Sequence, residues 1–547
     1  MRVDDAAIAR GALVIGAITV ASRVVGLVRT LVFSQVIGAT CLGSAYLTAY
    51  QVPSLIAELA LGGALTSALV PVLARPAALA HVDPAEKARV SEISSAVLTW
   101  AILILLPVAV AIALAAWPIA SLLTPANPQA HCQRGDVLRI TASMIEVFSP
   151  QVLLYGIAVV FIGLLQSYRR FAGPTAAPIM ASLILIASYL AFWGMAHQAP
   201  LANTPGAAGL LLSAGTTLSV VALVLVMAVP ATRLRLKLRP RLRLPSGVTR
   251  RVGGLVAAGM AEFAAADLSA VVVVALANGR GTTGALVLFN YAFLVFNAMY
   301  AILAISIVTS AFPALSAADG EEFDRTCAGS TRAVLLMSCL GSAMMAAIAL
   351  PVARVLARQP DQVPALVAGF LLFAPGLVGA GLTANLARAM LAISRFTLAA
   401  LALAGSGLVA IVADLVLTGF APAHLVVAAL ALGGALGQTV VAVPVVFAMR
   451  RLRGRAALRG AWRAGVAGLA AGAAGGAAGV AASAVVDAQG KLLAAGSAAV
   501  AACLAASVFL AVAYLLDKPD SSLLMARMRG IRSGQSVPGS RCRFSRW

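Results

Sequence analysis

Long apolar runs, each closed by Gly, Pro or a short charged cluster, fill the chain from about residue 7 to residue 516. A helix needs about 20 apolar residues to cross the hydrocarbon core of a bilayer, and the pattern predicts fourteen such helices. The first six are expected over residues 7–37, 45–73, 91–116, 138–168, 174–196 and 207–230. The next six are expected over 251–277, 284–316, 333–357, 364–392, 396–419 and 424–448, and two more at 464–486 and 492–516. The polar, basic stretch 517–547 is expected to be a disordered cytoplasmic tail. The first run is too long for a cleaved signal, so the first helix is expected to stay.

The chain also echoes itself at an offset of 225, which sets Phe148, Pro150, Gly156, Arg170 and Phe171 on Phe373, Pro375, Gly381, Arg395 and Phe396. These are kink and loop positions. A second echo sets Thr66, Ser67, Ala68 and Pro71 on Thr309, Ser310, Ala311 and Pro313. Helices 1 to 6 are therefore expected to repeat as helices 7 to 12, although Ala- and Leu-rich helices also mimic one another by chance. An even number of helices per half gives both halves the same orientation, with a pseudo-twofold axis along the membrane normal. The expected fold is an all-α integral membrane protein of two six-helix lobes, residues 1–230 and 251–448, with a two-helix addition at 464–516. A basic linker (231–250) and a basic loop (449–463) join these parts. A parallel-repeat transporter holds its cargo between the lobes and works by rocking them.

Composition narrows the class further. Of the residues, 61% are apolar and 11% charged, against roughly half and a quarter in soluble domains, which leaves no room for a large soluble catalytic domain. Lys and Arg number 40 against 19 Asp and Glu, a formal net charge of +21. A nucleic-acid binder could carry that excess, but here the charges sit in short clusters between apolar runs, so no nucleic-acid partner is expected. With the N-terminus inside, 32 basic residues fall on the cytoplasmic side and only Arg134, Arg139, Arg280, Arg354, Arg358 and Lys491 outside. The positive-inside rule then places both termini in the cytoplasm. The densest cluster, Arg233 to Arg251, is expected to lie on anionic membrane lipids; a second, Arg450 to Arg463, separates helices 12 and 13. Six cysteines without Cys-x-x-Cys spacing and four histidines give no metal-ligand cluster, and the cysteines read as small buried or incidental residues.

A charge inside a spanning helix costs at least about 2.5 kcal/mol on insertion scales, so each is a functional candidate by default. Arg23 and Arg29 flank Gly26 in helix 1. Their spacing of six residues separates them by about 120° on an ideal helix, and a bend at Gly26 would bring them together. Arginine suits a phosphate because its planar fork donates paired hydrogen bonds and stays charged when desolvated. Glu58 of helix 2 either neutralises Arg23 or joins the same cavity. Acids mark the second half: Glu262 and Asp267 in helix 7 and Asp414 in helix 11. Counted from the cytoplasmic ends, Asp267 and Asp414 lie about 24 and about 27 Å deep, level enough to share Na⁺ or to exchange a proton. The plainer alternative hydrogen-bonds each acid separately to a neighbouring helix. Asn290 and Asn297 of helix 8, and Asn385 and Arg388 of helix 10, are candidates for the cavity lining, with helix–helix bonding as the plainer role for the asparagines and snorkelling for Arg388.

At these residues a resemblance emerges. Ser22-Arg23-Val24-Val25-Gly26-Leu27-Val28-Arg29, followed by Ile37-Gly38-Ala39, resembles the helix 1 motif of the MurJ (MviN) lipid II flippase family. Val52-Pro53-Ser54-Leu55-Ile56 and Leu61-Gly62-Gly63-Ala64-Leu65-Thr66-Ser67-Ala68-Leu69-Val70-Pro71 are similar to its helix 2, in a version like that of its actinobacterial branch. Tyr168-Arg169-Arg170-Phe171-Ala172-Gly173-Pro174 is similar to its helix 4–5 junction. The resemblance implies a member of the multidrug/oligosaccharidyl-lipid/polysaccharide (MOP) exporter superfamily in a bacterial plasma membrane. Its cargo would be a polyprenyl-pyrophosphate-linked glycopeptide, its pyrophosphate would meet Arg23 and Arg29, and its partners would be cell-wall synthesis or division proteins. No catalytic residue and no cofactor is implied. The chain departs from many members at Ser44, Ala57, Glu58 and Leu294, where they carry an acid, paired arginines and a helix 8 arginine. Those departures keep open another MOP exporter, either a polysaccharide-lipid flippase or a drug/cation antiporter, and a nontransporting scaffold for cell-wall synthesis. An enzyme is not expected, because no acid pair at a membrane face has metal-ligand spacing.

Overall fold

The computed structural model describes residues 5–61, 73–80, 82–127, 131–168, 170, 172–196, 206–242, 248–485 and 490–516, with side chains except at 5–17, 57–61, 196, 206, 207 and 248–263. The second echo's Thr66, Ser67, Ala68 and Pro71, and the stretch 517–547, fall outside these residues. Among the described residues every regular element is a helix. A bilayer offers the backbone no water, so its N–H and C=O groups must bond within the segment. Ser and Thr follow the same rule by donating to the carbonyl one turn back, as Thr30 does to Gly26 (3.1 Å) and Thr48 to Ser44 (2.7 Å).

In chain order the principal helices are α1 (Asp5–Val36), α2 (Cys41–Leu61), α3 (Pro84–Leu114), α4 (Ala116–Leu123), α5 (Arg134–Phe148), α6 (Pro150–Ser167), α7 (Ala172–Ala196), α8 (Gly206–Thr232) and α9 (Val248–Arg280). They continue as α10 (Ala285–Met299), α11 (Ser306–Ala317), α12 (Gly320–Ala347), α13 (Ala349–Leu356), α14 (Val363–Phe373), α15 (Gly376–Ala392), α16 (Phe396–Phe420), α17 (Val426–Arg453), α18 (Ala461–Val485) and α19 (Lys491–Leu516). Joined where one continues another, twelve of these segments are long and apolar enough to cross a membrane, which makes the chain a multi-pass membrane protein.

The chain gathers into two compact units. The first comprises residues 1–293, 353–369 and 403–437. In it α7 packs on α1 and α8, α3 on α6, and α2 on α5 and α9, around a core that includes Leu73, Val90, Ile93, Leu164, Leu165 and Met227. The basic linker after α8 is docked rather than free: Ser91 donates to the Lys237 carbonyl (2.6 Å), while Ser95 and Thr99 accept from the backbone N–H groups of Arg239 (3.1 Å) and Arg241 (3.0 Å). Those three hydroxyls recur every four residues, so one face of α3 holds the linker backbone.

The second unit comprises residues 294–352, 370–402 and 438–547. Here α12 packs against α15, α18 and α19. Glycines of α18 let these helices approach: a Cβ on Gly475 would lie 2.6 Å from the Ala505 carbonyl of α19, and one on Gly479 would lie 2.3 Å from the Ala347 side chain of α12. Lipid tails are as apolar as leucine, so close backbone packing is what drives helices together here.

Each unit contains one copy of the 225-residue echo, and the copies share their local geometry. The helix breaks after Phe148 at Pro150 in one and after Phe373 at Pro375 in the other, because proline removes a backbone donor and clashes with the preceding turn. Both copies then end alike, with Arg170 donating its N–H to Leu165 (2.8 Å) and Arg395 to Met390 (2.8 Å).

Candidate functional site

Helix α1 carries the basic candidates in the first unit. Arg23 is exposed and Arg29 half-buried, and neither forms an ion pair among the described residues. The side chain of Glu58, which would neutralise Arg23, lies outside the described residues. Beside Arg29 the structure places a group that the sequence reading missed. The Tyr46 hydroxyl bonds to those of Tyr189 (3.1 Å) and Thr216 (2.9 Å), and Tyr155 bonds to Tyr50. Phe33 and Phe148 hold these rings, Phe33 edge-on to Tyr189 and Phe148 edge-on to Tyr46. Arg29 lies one helical turn before Phe33 on α1, on the side of these rings. The Tyr46, Tyr189 and Thr216 hydroxyls are buried and bonded to one another, so they order the helices around Arg29 and leave its guanidinium as the donor suited to phosphate oxygens. The signal in the sequence was faint: Tyr46 and Tyr50 are one helical turn apart on α2, where aromatics usually serve packing.

The acidic candidates also meet the first unit. Asp267 of α9 and Asp414 of α16 are both buried. The Asp414 carboxylate has no hydrogen-bond partner among the described residues, and it occupies the space left by Gly433, where a Cβ would stand 2.0 Å from its Oδ1. Helices α9 and α16 run close together where Gly407 faces the Ala265 carbonyl, 2.7 Å from a would-be Cβ. Asp267 lies two residues beyond that contact and Asp414 seven, a difference in height of about 7.5 Å at about 1.5 Å per residue. Toward the helix ends, Arg280 donates to Thr418 (3.2 Å), which donates in turn to the Asp414 carbonyl (2.6 Å). The side chain of Glu262 falls outside the described residues.

The asparagines divide. Asn290, half-buried in the first unit, donates to the Leu286 carbonyl of its own helix (3.4 Å). Asn297 belongs to the second unit and is exposed. Asn385, fully buried in that unit, joins two helices by donating to Thr331 (3.0 Å). Arg388 is half-buried, Ser44 lines a small cavity beside Cys41, and Leu294 is exposed.

One expectation is corrected outright. Cys41 and Cys132 are not incidental but joined by a disulfide, with Cα atoms 5.9 Å apart. Their pairing was hidden because 91 residues separate them, and only the fold brings the start of α2 to the segment before α5. The same corner is fastened a second way. Helix α1 ends in Gly38 at φ +63°, with the Gly38 N–H bonded to the Phe33 carbonyl, and Arg358 donates to the terminal carbonyls of Val36 (3.1 Å) and Ile37 (3.3 Å). A cation on the last carbonyls of a helix is favoured by the helix dipole.

The sequence profile described as Lipid II flippase MurJ matches residues 33–508. Lipid II flippase MurJ of Burkholderia cenocepacia is 28% identical over 179 residues, a third of each chain, and a probable lipid II flippase MurJ of Synechocystis is 26% identical over 233 residues, 42% of this chain and 41% of that one. The aligned stretches thus span less than half the length of these relatives. Among solved structures, the inward closed conformation of lipid II flippase MurJ superposes with a TM-score of 0.70 over 92% of this chain and 99% of that one, at 14% identity. An inward-facing multidrug resistance MATE family transporter of the MOP superfamily gives 0.61 over 80% and 95%, also at 14% identity. At such identity the likeness is one of fold, whereas the profile match extends across most of the sequence, and by it the chain belongs to the lipid II flippase MurJ family.

Proposed function

We propose that this protein is a lipid II flippase, carrying a lipid-linked peptidoglycan precursor from the inner to the outer leaflet by alternating access. The observation that carries this reading is the pair Arg23 and Arg29 on α1, without an ion-pair partner among the described residues and, at Arg29, one turn before Phe33, which packs on Tyr46 and Tyr189. An uncompensated arginine within a membrane helix calls for an anion, and a pyrophosphate supplies one with oxygens matching the guanidinium fork. Family membership supports the same cargo. Asn290 and Glu58 would complete the contacts to the head group, and cell-wall synthesis or division proteins would be its neighbours.

Both termini are assigned to the cytoplasm. The charge asymmetry supports this, and so does the Cys41–Cys132 disulfide, which this orientation exposes to the oxidising side of the membrane. Asp267 and Asp414, with Glu262 nearby in sequence, are assigned to coupling by Na⁺ or a proton. The buried Asp414 carboxylate, without a hydrogen-bond partner among the described residues, supports that role, because it is stabilised by whichever cation it binds.

The test is complementation in cells depleted of their own flippase. The wild-type chain restores growth; Arg23→Ala and Arg29→Ala each abolish rescue at normal membrane abundance. Full rescue by the double variant would overturn the phosphate role and favour a scaffold, while rescue only of a polysaccharide-lipid defect would reassign the cargo.

A further inference from the structure

The connection between α17 and α18 holds a cavity of about 580 Å³ that takes no part in the proposed transport and lies wholly within the second unit. Its walls are apolar, formed by Leu335 of α12, Leu382 of α15, Val446 of α17 and Leu469 of α18. Gly465, Arg450, Arg455 and Trp462 also line it, and the last three are exposed, the indole by 84%.

The arginines of this connection have different employments. Arg453 donates to Asp324 (2.8 Å), Arg451 lies over the Phe447 ring at 4.4 Å, and the Arg459 carbonyl accepts from Arg332 (2.8 Å). Arg450 and Arg455 have no acidic partner among the described residues, and both line the cavity. Two cations above an apolar slot, with an exposed tryptophan beside them, match the chemistry of a phosphodiester carried on acyl chains. Tryptophan favours the headgroup level, and basic pockets between helices on the cytoplasmic side select anionic headgroups.

We propose that this cavity binds one anionic glycerophospholipid of the cytoplasmic leaflet. Its phosphate lies between Arg450 and Arg455, and one acyl chain follows Val446, Leu335, Leu382 and Leu469. The site goes beyond a general attraction of basic loops to the membrane, since the charge is fixed above a cavity rather than spread along a surface. It rests on the orientation assigned above and is independent of the cargo.

Quenching of tryptophan fluorescence by brominated lipids tests it on the full chain in detergent. Phosphatidylglycerol with brominated chains should quench a component that Trp462→Phe removes, at least tenfold more tightly than brominated phosphatidylcholine. The double variant R450Q/R455Q should bring the two lipids level without lowering the unfolding temperature. A side chain at Gly465 meets open space, so Gly465→Leu should fill the slot and weaken quenching with both arginines intact. Charge removal elsewhere, in R233Q/R239Q, should leave the preference unchanged. Equal quenching by both lipids in the wild type, a preference that survives R450Q/R455Q, or an equal loss in R233Q/R239Q would overturn the proposal. So would displacement of phosphatidylglycerol by a polyprenyl pyrophosphate, which would hand the cavity to the cargo.

Discussion

Asp414 sits in a spanning helix with a buried carboxylate that has no hydrogen-bond partner among the described residues, although a charge at that depth costs at least about 2.5 kcal/mol on insertion scales. A cation bound beside it would offset that cost, and could bias a transporter only by binding one of its states more tightly than the other. Replacing both acids with Asn should therefore flatten the dependence of transport on Na⁺ or on the proton gradient while leaving binding of a lipid-linked pyrophosphate within about twofold. Transport that keeps its full ion dependence in the double variant would refute the coupling role. These acids and the two arginines were legible in the sequence because a charge stands out in an apolar run. The tyrosines around Arg29 were not, since an aromatic ring in a membrane helix carries no contrast of its own. Their hydroxyls gain meaning only when Tyr46 of α2 meets Tyr189 of α7 and Thr216 of α8.

Among the elements, α18 is held by absence of side chains. Substituting Gly479 with Leu would drive a side chain into Ala347 and Ala505, and Gly475 with Val into the Ala505 carbonyl. Overpacking of this kind costs about 1–3 kcal/mol, which should appear as a lower unfolding temperature in detergent for each variant; Gly465→Ala, facing open space, serves as the unaffected control. A Gly479→Leu variant as stable as the wild type would show that α18 can slide away from its neighbours. The breaks at Pro150 and Pro375 were readable because proline acts on its own helix. The docking of the linker on Ser91, Ser95 and Thr99 was not: three hydroxyls on one face of α3 announce a polar stripe without naming the segment that covers it.

At the scale of the whole molecule, apolar runs carry most of the helical architecture, because the bilayer imposes one length on every crossing. The orientation can be checked on its cysteines. After mild reduction of spheroplasts, a membrane-impermeant maleimide should label Cys41 and Cys132 from outside; labelling only after lysis would invert the topology. Replacing both with Ser should destabilise the protein by about 2–4 kcal/mol, the range typical of a disulfide that closes a long loop, seen as a lower unfolding temperature that reductant no longer changes. Unchanged stability would mean that the Arg358 cap on α1 already holds the corner.

The same disulfide also sets a clock on biogenesis. Its two cysteines are 91 residues apart, so at roughly 5–20 residues per second of synthesis Cys41 waits about 5–18 s for its partner to be made. During that interval the first thiol is available to any other thiol on the same side of the membrane. In the orientation proposed above, the bond closes only after α3 has crossed and delivered Cys132 beside Cys41, so oxidation of the pair marks the insertion of the crossings that lie between the two cysteines.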